Sequence, residues 1–338
     1  MMHPTNNIFT KRFMGKTMKN FFILTFFIGL SICSAQQNTA STKKLAITVD
    51  DLPLATSVNH SPTKYKEIFL KGLDQLKKTN APIIGFVNET FCYSNGREEK
   101  RRISLLEEWL NAGLDLGNHT FSHADANKLP VDKFTEDIKK GEIICSALLK
   151  AKGKQIKYFR FPYLRTGITL EDKTKIEKFL EKNGYTIAPA TITSPAEMTY
   201  AEAYRNLMKN KDTVSMKKAA DEFVKLLSDR ITLGEKQSIN LFKREISQIL
   251  ILHNSEMCSD SWIKIIDMIR GKGYTIVTLE EAMKDEVYQT KDNYVDYGGL
   301  DWLSRWAKAR GVSNSIFSGR QPEPSEWINK LAENRVGY

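Results

Sequence analysis

The sequence predicts an α/β protein of parallel strands covered by helices, a closed or nearly closed barrel competing with an open sheet, with a helical insertion and a helical C-terminal tail. Three observations carry this. Short apolar runs alternate with helical stretches from Leu45 to Lys284, and such repeats imply parallel strands covered by helices. The runs number seven or so, enough for a closed or nearly closed barrel to compete with an open sheet. The first run is not followed by a G-x-G-x-x-G turn, which disfavours a dinucleotide fold.

The elements follow in order. Leu45–Val49 reads as a buried strand, and Pro62–Lys78 as a helix with proline in its first turn. Pro82–Val87 is the next strand, and Arg97–Ala112 a helix stopped by Gly113. Leu114–Gly117 is a strand, Pro130–Lys152 a helix ended by Gly153, and Lys157–Phe161 a strand. Thr169–Asn183 reads as a helix and Tyr185–Ala188 as a strand. Two polar helical segments, Tyr200–Lys209 and Ser215–Ser247, form the insertion, at about residues 200–247. Gln248–Leu252 and Tyr274–Val277 are the last strands, with a helix over Asp260–Lys272 between them and a short one over Leu279–Lys284 after them. The expected organisation is a leader with its prefix at 1–35, a linker at 36–43, the barrel at 44–285 and a helical extension at 286–338.

The leader changes the charge argument. Lys19, the apolar run Phe21–Leu30 and the small residues up to Ala35 read as a secretory signal peptide. The run is short for a membrane span, so export with cleavage near Ala35 is expected and no stable membrane span. A lipoprotein site at Cys33 is the lesser alternative, because Ile32 is bulky where such a site wants a small residue. Residues 1–35 hold four cations and no acid, so the net charge falls from +10 to +6. The remaining cations alternate with acids, as in Lys173–Lys178, which is a solvated helix face and disfavours a nucleic-acid partner. Cys92, Cys145 and Cys258 have no C-x-x-C spacing and read as small buried hydrophobes.

Chemistry-bearing residues recur where strands end, the place where barrels keep their chemistry. Asp50-Asp51 follows the first strand, and His119 and His123 follow the third. Arg160-Phe161-Pro162-Tyr163 closes the fourth, and His253 closes the strand after the insertion. Two imidazoles four residues apart can meet one ion, and a carboxylate from another strand end completes three ligands with a position left open. Each residue also has a plain reading: a solvated turn for the acids, surface or core histidines, and a strand-end ion pair for Arg160. Adjacent acids at a strand end diverge, so one can ligate while the other faces water.

Thr48-Val49-Asp50-Asp51, His119-Thr120-x-x-His123, Arg160-Phe161-Pro162-Tyr163 and Ile251-Leu252-His253 together resemble the ordered motifs of the polysaccharide deacetylases, the NodB-homology family, carbohydrate esterase family four. The resemblance covers about Lys44 to Asp285 and implies the irregular (β/α) barrel of that family. It implies that Asp51, His119 and His123 hold a divalent metal, usually Zn2+, and that Asp50 is the general base. Arg160 would orient Asp50, the backbone N–H of Tyr163 would stabilise the oxyanion, and His253 would be the general acid. The implied substrate is an acetylated polysaccharide or oligosaccharide, chitin- or peptidoglycan-like.

Two departures stand out. Leu164 replaces a glycine common in relatives, and Thr193–Glu197 lacks the aspartate and tryptophan of the family's fourth motif. Glu197 is a candidate replacement for that aspartate. The degenerate motif keeps a catalytically weak glycan-binding relative as one alternative, and an O-acetyl xylan-type esterase is another. Trp302, Trp306 and Trp327 in the tail read as packing residues, with sugar stacking as the sharper option.

Overall fold

In a computed structural model, residues 43–312 and 321–333 are described. The expected leader, its cleavage at Ala35 and Cys33 lie outside the described residues. The strands are β1 (Lys43–Leu52), β2 (Ile83–Val87), β3 (Tyr93–Ser94), β4 (Arg97–Glu98), β5 (Asp115–Asn118), β6 (Tyr158–Phe159), β7 (Thr186–Ile187), β8 (Gln248–His253) and β9 (Tyr274–Ile276). Seven of them form one sheet in the order β7-β6-β5-β2-β1-β8, with β9 beside the start of β1, and every pairing in it is parallel. The sheet curls until its ends meet: Ile192, just past β7, bridges Leu250 of β8. That is the irregular barrel the family resemblance implied.

Core burial follows the pattern of the apolar runs. Leu45, Ile47 and Val49 of β1 pack with Leu250 and Leu252 of β8 and with Phe69, Leu73, Trp262 and Ile266 from the covering helices. The helix Pro62–Thr79 starts as the sequence suggests, with Ser61 accepting from the Lys64 N–H, and ends at Asn80 in the left-handed conformation.

Three local readings change. Arg97–Glu98 is not helical but pairs antiparallel with Tyr93–Ser94, and the helix begins at Lys100. The stretch 130–152 is two helices, Val131–Lys140 and Ile143–Ala151, broken at Gly141. A Cβ on Gly141 would lie 2.4 Å from the Phe121 nitrogen and 2.4 Å from the Thr120 carbonyl carbon. The insertion's first helix runs over Ala196–Lys209 and starts early enough to put Glu197 in its first turn. A second helix of 30 residues, Thr213–Phe242, follows it. Among the described residues the tail has α-helices at Trp302–Ala309 and Glu326–Glu333. Trp302 and Trp306 are buried there among Leu164, Ile251 and Val287, so packing accounts for both. Among the described residues no helix is long and apolar enough to cross a membrane.

Candidate active site

The carboxyl ends of β1, β5, β6 and β8 bring the chemistry together. Asp50 pairs with His253 across β1 and β8, while the register of β1 against β2 slips between Val49 and Leu52. A bulge re-aims side chains, and Asp51 takes a left-handed φ of 62° there. Asp50 is buried and Asp51 partly exposed. The two acids therefore serve different places.

Asp51 faces both histidines. Its Oδ1 lies 3.6 Å from His119 Nε2 and 3.5 Å from His123 Nε2. Ligands at about 2.1 Å from one tetrahedral ion sit about 3.4 Å apart, so these spacings fit a metal. The same Oδ1 is buried and has no hydrogen-bond partner among the described residues. His119 points Nδ1 at the Arg160 carbonyl at 2.8 Å. A carbonyl only accepts, so the proton sits on Nδ1 and the Nε2 lone pair is free for an ion. Burial, with His123 close by, pushes the His119 imidazole down to about 3, so it stays neutral, the form that ligates.

The ligand loop is braced behind. Asn118 Oδ1 accepts from the Thr120 N–H at 2.7 Å, and Thr120 Oγ1 accepts from the Ala124 N–H at 2.9 Å. Thr120 and His123 both have left-handed φ, at 65° and 58°. Tyr163 and Leu164 add 56° and 53°. Left-handed non-glycine backbone thus gathers at the site, as it does where a fold holds functional groups against local preference.

Arg160 is fully buried beneath Asp50, donating from NH2 to Thr48 Oγ1 at 2.9 Å with its guanidinium over the Phe86 ring. It is a charge neighbour of Asp50 and not its hydrogen-bond partner. Asp50 Oδ1 and Arg160 Nε and NH1 are buried without partners among the described residues.

His253 has the partner that the sequence left open. Glu197, 1% exposed, accepts from the His253 backbone N–H at 2.8 Å through Oε1 and lies 3.1 Å from Nδ1 through Oε2. Burial disfavours the charged imidazolium, but the carboxylate of Glu197, helped by Asp51 and Asp50, outweighs it and raises the group to about 9. The sequence offered Glu197 as a candidate for this role, and a helix start, not a loop, delivers it. Cys258 also donates to Glu197 at 3.4 Å, and Cys92, Cys145 and Cys258 are all buried free thiols.

These groups open on a cavity of about 300 Å3, whose apolar side includes Phe161, Leu164, Ile251 and Met198. A cleft of about 970 Å3 continues from Asp51 between the Ala55–His60 loop and the insertion helix.

A curled parallel barrel with paired carboxylates and histidines at its carboxyl mouth defines a hydrolase site. The family model of polysaccharide deacetylases matches residues 37–188, and over that segment the chain is similar to a family of hydrolases acting on acetyl groups of polysaccharides. No curated protein matches the chain. Among solved structures, a family 4 acetyl xylan esterase from Clostridium thermocellum is similar at 17% identity and a TM-score of 0.46, over 72% of this chain and 91% of that one. The peptidoglycan deacetylase PdaC from Bacillus subtilis is similar at 20% identity and a TM-score of 0.44, over 72% and 93%. A CE4 family pseudoenzyme from Bacillus anthracis is similar at 13% identity and 0.45, over 72% and 66%.

Proposed function

We propose that this chain is an exported, zinc-dependent deacetylase that hydrolyses the acetamide of N-acetylated sugars in a chitin- or peptidoglycan-like polymer. The observation that carries it is the joint placement of Asp51, His119 and His123 within reach of one ion, with Asp50 and His253 on either side. A divalent ion in that set would supply a Lewis acid for the acetyl carbonyl and a more acidic water.

The chain's own residues do the rest. Asp50, with the Arg160 guanidinium as its charge neighbour, takes the proton of the attacking water. The Tyr163 backbone N–H is assigned to the developing oxyanion on the strength of the family resemblance. His253 carries its proton at neutral pH because of Glu197, and gives it to the departing amine from Nε2. Phe161, Leu164, Ile251 and Met198 give the acetyl methyl an apolar wall in place of the family's tryptophan. The larger cleft leaves room for neighbouring sugars.

Glu197 argues against the weak glycan-binding alternative, since the acid is supported after all. Export is part of the proposal and rests on residues 19–35. The deciding experiment is acetate release from N-acetylglucosamine oligomers and from acetylated xylan, with added zinc and with chelator. Zinc-dependent release from the amide substrates supports the reading. Release from xylan alone would make the protein an ester hydrolase, and release from neither would leave the weak binder.

A further inference from the structure

We propose that the tail segment Asp292–Arg305 is a clamp that holds the Tyr163–Thr166 backbone in its working shape, with Arg305 as its anchor and positioning residue. The catalytic part of this rests on the deacetylase reading above.

The loop needs an external hold. Tyr163 and Leu164 are consecutive left-handed residues with φ of 56° and 53°. A side chain clashes with backbone in that conformation, so the loop does not favour this shape by itself. Such backbone persists where surrounding structure over-determines it.

The tail supplies that structure. Arg305 is 1% exposed and spends its guanidinium on four acceptors. NH1 donates to the Leu164 carbonyl at 3.3 Å, and NH2 to Thr166 Oγ1 at 2.8 Å and the Tyr294 carbonyl at 3.2 Å. Nε donates to Asp292 Oδ2 at 2.8 Å, and Lys173 holds the same oxygen at 3.0 Å. The fork therefore joins the site loop to the tail and, through Asp292, to the helix Leu170–Lys182.

Two further contacts reach the same loops independently. Gly299 lies so close over Tyr163 that a Cβ there would be 1.6 Å from the Tyr163 carbonyl oxygen. Asn127, downstream of His123, donates to the Asp296 and Tyr297 carbonyls at 2.8 and 3.1 Å and accepts from the Gly167 N–H at 2.9 Å. The Trp302 N–H donates to the Ala190 carbonyl at 2.6 Å, closing the segment onto the strand ends. The tail thus couples the histidine loop and the Tyr163 loop.

The test uses the full chain with Arg305→Lys and Gly299→Ala, which share no atom but press on the same loop. Thr166→Val stands in if either fails to fold. Three readouts are needed: deuterium uptake over residues 162–167, kcat and KM for acetate release from N-acetylglucosamine oligomers, and zinc affinity by calorimetry. Faster uptake, a kcat at least ~10-fold lower, and KM and zinc affinity within ~2-fold of the parent are expected; full loss of one oxyanion donor typically costs about 10²–10³. Unchanged uptake in both variants overturns the clamp. Faster uptake with unchanged kcat overturns its catalytic role. If the parent releases no acetate, the deacetylase reading falls instead, and uptake alone then decides the clamp.

Discussion

Glu197 and Leu164 are two residues at which the motifs depart from the family pattern they resemble, and each has a measurable consequence. Replacing Glu197 by Gln keeps an acceptor for the His253 N–H but removes the charge beside Nδ1. Burial then acts unopposed by that carboxylate, and the imidazole falls from about 9 toward its ordinary value of about 6.5 or below. Because the raised group must be protonated to act as an acid, the alkaline limb of kcat/KM moves down by ~1–2 pH units in E197Q, read from the pH–rate profile. The linked stability has the same sign: it is fully present below about 6.5 and is lost as pH rises through about 9. Leu164 is a contest of two effects. Leu164→Gly relieves about 1–2 kcal/mol of left-handed strain but gives up a buried side chain worth about 2–5 kcal/mol. The packing of Leu164 against Trp302 and Ile251 wins, so the variant loses ~1–3 kcal/mol in urea unfolding, despite restoring the family's glycine.

At the scale of elements, the strand ends were legible and the braces behind them were not. Period and punctuation place β1, β5, β6 and β8, and the motif residues sit at their carboxyl ends as expected. The reasons for the loops' shapes are long-range contacts with no local pattern. Gly141 looks like any helical glycine in sequence, yet it breaks the helix so that the His119–His123 loop can pass within van der Waals reach. Glu197 could be named as a candidate from sequence, but its contact with His253 depends on a helix starting at Ala196 and packing beside β8. The tail's part in the site was invisible because Arg305 and Leu164 are separated by 141 positions. Gly141 gives the sharpest test. In Gly141→Ala the new Cβ meets backbone atoms at 2.4 Å, and backbone cannot yield as a side-chain end can. The ligand loop shifts, and zinc affinity falls by ~10–100-fold, the range seen when groups supporting metal ligands are lost. Calorimetric titration with zinc checks it.

For the whole molecule, the ligand set joins distant chain segments, because Asp51 lies at the end of β1 while His119 and His123 follow β5. An ion held there ties the two strand ends on either side of β2. It binds only the folded chain, since the three residues converge only once the sheet has curled. Mass action then converts affinity into stability: zinc at a thousandfold excess over its dissociation constant adds about 4 kcal/mol. For a chain of this size that raises Tm by on the order of 5 °C, and chelator removes the gain. His119→Ala deletes the ligand whose tautomer is set by the Arg160 carbonyl. Its Tm therefore no longer responds to zinc, and its acetate release is lost. A zinc-dependent rise in Tm that survives His119→Ala would mean that the stabilising ion sits elsewhere, and the assignment of Asp51, His119 and His123 as one metal site would fall with it.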